Sequence, residues 1–141
     1  MRADNTLSII GRIREAAYRH IFKGLQKWGH EGVAPSHGEI LMYLMKHGEC
    51  KLSEVADAIN KDRSTVTTLS KKLIKLGYVE SRKNPEDGRS SLVYLTAKGQ
   101  SIYDPMIVIS EELYDVTYKG ISDEERDAFR KTLMKIYDNL K

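Results

Sequence analysis

Three residues, Asn60-Lys61-Asp62, limit how this chain can fold more than any others. They separate two segments that each carry a helical stripe. Upstream, Leu52, Val55, Ala56 and Ile59 fall at i, i+3, i+4 and i+7, one face of a helix. Downstream, Val66, Leu69, Leu73 and Leu76 keep a second such face. Asn tolerates the left-handed backbone that ends a helix, and Asp62 can cap the next one. A connection this short forces the two helices to cross steeply. The pattern predicts a first helix starting after Leu52, with Ser53 as its N-cap, and a second from Arg63 to Leu76, stopped by Gly77.

The outer face of the second helix shows Arg63, Ser64, Thr65, Thr67, Thr68, Lys71, Lys72 and Lys75. Hydroxyls lie toward its start and lysines toward its end. A helix in the major groove needs short donors and acceptors for base edges and cations for phosphates. Taken alone, such a face is also what a solvated helix looks like. Two strands are expected next, Tyr78 to Arg82 and Leu92 to Leu95, around the turn-rich loop from Lys83 to Ser90. Arg82, Lys83 and Arg89 put charge on this hairpin, and an arginine at its tip suits the narrow minor groove. Asp87 is expected to structure the bend, its plainest role being to pair with a nearby arginine.

These segments resemble the MarR (multiple antibiotic resistance regulator) family of winged-helix transcription factors. The resemblance is carried by LSEVADAI, DRSTVTTLSKKLIKLGYVESR, NPEDGR and LVYLTAKG. The family's wing pattern is met by Arg82, Pro85, Asp87, Arg89, Leu95, Thr96 and Gly99; Gly88 stands where many members have a second arginine. The resemblance implies a homodimeric regulator, by default a repressor, on a pseudo-palindromic double-stranded DNA operator. It implies end regions that intertwine and hold two winged helices apart. It also implies release by a small aromatic or anionic ligand in a cleft that Arg14, Tyr18, His20, Trp28, Tyr43 and Tyr103 could line, although no motif fixes these positions.

The flanking segments read as helices. One runs from about Asp4 to Trp28, with Leu7, Ile10, Ala17, Ile21, Leu25 and Trp28 as a loose stripe. After a loop from Gly29 to Pro35, Ser36 to His47 forms a support helix, capped by Ser36 with Glu39 at the reciprocal position. Beyond Gly99 a helix is expected from Gln100 to Lys119, with Pro105 near its first turns, where it can kink it. A last one follows Ser122, with Phe129, Leu133, Ile136 and Leu140 on one side. Amphipathic helices at both ends of a small domain have too little core of their own to cover, and a second copy buries them.

The expected fold is therefore mainly α with a small β-wing, a single domain over residues 1–141. Residues 36–99 form the winged helix-turn-helix, and 1–30 and 100–141 the dimerisation helices. Net charge is +3, but residues 60–90 hold eight Lys/Arg against four acids, and residues 100–141 hold nine acids against six bases. The basic segment is the expected reader, and the acidic one should face away from DNA. One cysteine excludes an intrachain disulfide and suits a reducing compartment. No apolar run approaches the roughly 20 residues of a membrane span. The N-terminus lacks the order of a secretion signal, so a cytoplasmic protein without membrane contact is expected.

No cofactor, metal site or catalytic set is expected. His20, His30, His37 and His47 have no metal-ligand spacing. Two other functions compete with the regulator: a winged-helix protein-interaction module, and a redox sensor working through Cys50. A protein-docking face would be apolar or acidic, not hydroxyl-rich and basic.

Overall fold

The computed structural model describes all 141 residues. In chain order the elements are α1 (Thr6–Lys27), α2 (Pro35–His47), β1 (Cys50–Lys51), α3 (Leu52–Ala58), α4 (Arg63–Lys75), β2 (Val79–Lys83), β3 (Ser91–Leu95), α5 (Ala97–Gln100), α6 (Tyr103–Thr117) and α7 (Asp123–Leu140). The fold is mainly helical with one three-stranded antiparallel sheet in the order β1-β3-β2. No helix is long and apolar enough to cross a membrane.

The helix-turn-helix forms as the turn residues dictate. Asn60 takes a left-handed backbone (φ 55°), and the Asp62 carboxylate accepts the Thr65 N–H at 2.7 Å. Gly77 ends α4 at φ 86°. A short apolar core fills the space beneath: Ile40, Leu41 and Leu44 of α2, Val55 and Ala56 of α3, Val66 and Leu73 of α4, Val79 and Val93 of the sheet. Leu25, Ile102 and Ile109 join this core from α1 and the chain after the wing.

Four local expectations are corrected. Ser53 does not cap α3. The preceding residues Cys50 and Lys51 pair with Val93 and Leu92 of β3, so the chain passes from strand to helix with no loop for a serine cap. That two-residue strand was too short to leave a period in the sequence. Ser36 does not cap α2 either. Pro35 takes the first helical position, where its missing N–H costs nothing. The His37 ring, not Glu39, reaches back, its Nδ1 accepting the Ala34 N–H at 3.0 Å. Finally, the helix expected from Gln100 breaks into α5 and α6; Pro105 lies in the first turn of α6, as expected, with a break before it in place of a kink.

Where α1 crosses α6, the two backbones come close because position 24 is glycine. A Cβ there would lie 2.8 Å from Cγ1 of Ile109. The outer ends of these helices are bare. Leu7 and Ile13 of α1 and Val116 of α6 are each more than half exposed. In α7 no residue is buried, and Phe129, Met134, Tyr137 and Leu140 stand open on it. Only its first turns are tied back, where Arg126 donates to the Tyr114 hydroxyl at 2.6 Å.

Candidate nucleic-acid interface

Helix α4 and the β2–β3 hairpin meet at Gly77. Several contacts fix their relative position. Thr96 donates its hydroxyl to the Gly77 carbonyl at 2.5 Å and accepts the Gly99 N–H at 3.1 Å. Lys98 donates to the Leu76 carbonyl at 2.7 Å, with its ammonium 4.7 Å above the Tyr78 ring. The buried Tyr78 hydroxyl in turn meets Nδ1 of His30 at 2.7 Å. Gly99 lies so close to this junction that any Cβ would run into the Tyr78 carbonyl oxygen. The Leu-Thr…Gly motif is thus a clasp between the end of the wing and the end of α4.

On α4, Arg63, Ser64, Thr65, Thr68, Lys71 and Lys72 are exposed, and Thr67 is half-buried. No hydrogen bond or ion pair within the chain engages the cationic heads of Arg63, Lys71, Lys72 or Lys75. The hydroxyls differ. Ser64 donates to the Asp62 carboxylate at 2.7 Å, Thr67 to the Arg63 carbonyl at 2.8 Å and Thr68 to the Ser64 carbonyl at 3.0 Å. The Thr65 backbone N–H and the Ser64 hydroxyl together hold the Asp62 carboxyl below the usual carboxylate range.

The hairpin tip is ordered by two side chains. Asp87 accepts the Arg89 backbone N–H at 3.0 Å. It does not pair with an arginine head, which corrects that expectation: the carboxylate reaches its own loop's backbone first, as an Asx turn does. Sequence reasoning missed Asn84, which is buried. Its amide donates to the Ser90 hydroxyl at 3.1 Å and its carbonyl accepts the Glu86 N–H at 3.1 Å. The Asn-Pro dipeptide was the available signal. The outcome is an exposed Arg89 whose guanidinium is free, with Lys83 also exposed and unpaired.

Arg82 is placed otherwise. Its Nε and Nη2 meet the two carboxylate oxygens of Glu49 at 2.7 and 2.6 Å, a bidentate pair that raises the arginine's pKa and lowers the glutamate's. Glu49 precedes β1, so this arginine ties the wing to the end of the support helix rather than standing free beside Arg89. Glu49 lies outside every sequence motif, and its partner is 33 residues away.

Cys50 does not support the redox alternative. It is buried, and burial together with the Glu54 and Glu49 carboxylates pushes its thiol up to about 11. At neutral pH it is a protonated, sheltered thiol, not a reactive thiolate. Of the residues considered for a ligand cleft, Tyr43 and Tyr103 border adjoining depressions that share Met42 and Lys46, Tyr18 borders another, Arg14 is engaged by the Tyr18 hydroxyl at 3.0 Å, and Tyr43 stacks on His47.

Comparison with known proteins agrees with this geometry. The pattern described as "MarR family" matches residues 34–91, the support helix through the start of β3. A transcriptional repressor named IacR, from Pseudomonas putida, is 27% identical over 101 residues; the match takes in 72% of this chain and 60% of the repressor's length. Among solved structures, a mutant MarR from E. coli complexed with operator DNA superposes with a TM-score of 0.78 at 20% identity, covering 95% of this chain and 99% of that one. The PcaV transcriptional regulator from Streptomyces coelicolor, solved with its natural ligand, gives 0.80 at 19% identity, covering 100% and 99%.

Proposed function

We propose, from the MarR family match over residues 34–91, that this chain acts as a homodimeric, sequence-specific DNA-binding regulator in the cytoplasm, a repressor on a pseudo-palindromic operator. One observation carries the reading. The exposed face of α4 holds four cationic heads without partners, and the clasped wing sets a fifth, Arg89, beside them. Each of these cations is available to a phosphate or a base edge.

In this reading α4 enters the major groove. Ser64, Thr65, Thr67 and Thr68 face bases, while Arg63, Lys71 and Lys72 serve bases or phosphates. Arg89, with Lys83, reaches the adjacent minor groove or its backbone. Arg82 acts through Glu49 as a positioning residue of the wing. The bare faces of α1, α6 and α7 pair with a second copy, which sets two α4 helices about one helical turn of DNA apart. The solved neighbours, one with operator DNA and one with its natural ligand, support a DNA partner and a ligand for this chain too; that the ligand is a small aromatic or anionic molecule that releases the DNA is part of the proposal.

The test is binding to duplex DNA from the promoter beside its own gene, titrated across salt. Tight, sequence-dependent binding with a steep salt slope is expected. Arg89→Ala should weaken it and flatten the slope by about one for each half-site, with the dimer intact. Unchanged affinity would remove Arg89 from the reader, and equal weak binding to all sequences would remove the function.

A further inference from the structure

The first turns of α4 carry four hydroxyl side chains, and three have already committed their hydrogen inside the protein: Ser64 to Asp62, Thr67 to the Arg63 carbonyl, Thr68 to the Ser64 carbonyl. A hydroxyl has one hydrogen and two lone pairs. With the hydrogen committed, it offers a base only lone pairs. In a threonine turned this way, the second branch at Cβ, the methyl group, is what remains at the helix surface, and Thr68 is exposed. Around it lies a shallow depression of about 250 Å³ lined by Ser64, Thr65, Thr68 and Leu69. Leu69 gives that depression an apolar lining.

The bases differ in what they present to such a surface. The major-groove edge of guanine has two acceptors, and thymine adds a methyl group to its single acceptor. A guanine at Thr68 would have to draw the hydroxyl hydrogen away from the Ser64 carbonyl. A thymine methyl needs no hydrogen at all, only apolar surface to pack against. The amino group of adenine or cytosine needs only a lone pair.

We propose that the depression between Ser64, Thr65, Thr68 and Leu69 takes the 5-methyl group of a thymine, so that Thr68 reads an A·T pair in each half-site. Arg63, exposed and unpartnered five residues earlier, can donate twice to a guanine, which suits a G·C pair beside the Thr68 position. This rests on the assignment of α4 to the major groove, and the test separates the two.

Duplexes selected from a random library by the full chain give the preferred site. Affinity is then measured at fixed salt for that site and for versions carrying deoxyuridine in place of one thymine at a time. One thymine in each half-site should lose about fourfold on removal of its methyl, the ratio expected for burying one such group. Thr68→Ser keeps the hydroxyl and its bond to Ser64 but lacks the methyl. It should bind the thymine and uracil sites equally, with the salt slope of the parent chain. Thr68→Val keeps the methyl and should keep the difference. Sequence-dependent binding with no uracil effect, or with guanine selected at that position, overturns this inference and leaves the regulator standing. No sequence preference in the selection overturns both.

Discussion

At position 99 a hydrogen stands where any other residue would put a carbon, and the clasp between α4 and the wing depends on it. The obstacle to a side chain is the Tyr78 carbonyl, which is backbone and cannot swing aside. Gly99→Ala should therefore lower stability by about 1–3 kcal/mol, read as the denaturant midpoint, and an unchanged midpoint would mean the clasp yields. His37 carries a pH dependence of its own. Its Nδ1 accepts the Ala34 N–H and so must be unprotonated, and burial, then Lys72, lowers its pKa. The unfolded chain takes up a proton near the ordinary histidine value of about 6.5, where the folded chain still refuses it. Stability is then full above that value and declines as pH falls below it. His30, also lowered by burial and by Lys98, adds in the same direction. Denaturant melts between pH 7.5 and 5 should show the decline, and His37→Asn, which keeps an acceptor, should reduce it.

Among the elements, those governed by neighbours in sequence were the legible ones. The cap at Asp62, the left-handed Asn60 and the stop at Gly77 place α4 to within a residue, because each depends on backbone geometry within one turn. Elements set by tertiary pairing were not legible. β1 exists because β3 lies beside it, and the Glu49–Arg82 pair joins residues with no common motif. The charged residues of the candidate interface could be named from sequence, but which were free could not: Arg82 and Arg89 look alike in the chain and differ only once folded. That difference is measurable. Arg82→Ala should cost less than about 1 kcal/mol of stability, as exposed ion pairs do, and leave the salt slope of DNA binding where it was. If the slope drops as far as with Arg89→Ala, Arg82 touches phosphate and its pairing with Glu49 is broken on DNA.

For the whole molecule, charge is unevenly spread over the helices. α4 and α1 carry the basic excess, the wing balances its charges, and the acidic excess lies on α6 and α7. The apolar stripe of α7 was legible as a period, whereas what covers it was not, since a covering partner leaves no mark in the same stretch of chain. Leu133, half-buried among the open side chains of α7, is the place to test the proposed pairing. Leu133→Asp puts a charge into that surface and should give a monomer by sedimentation, with operator binding lost at the same time. A DNA-competent monomer would refute the two-copy arrangement.

A helix with no fully buried residue in its own chain also sets a rule for dose. If the covering surface comes from another copy, the competent species forms by a second-order step. Below the dimer dissociation constant, halving the amount of chain leaves about a quarter of the reader. Occupancy of an operator then falls faster than expression does, and the gene under control answers to the abundance of this protein as a threshold, before any ligand arrives.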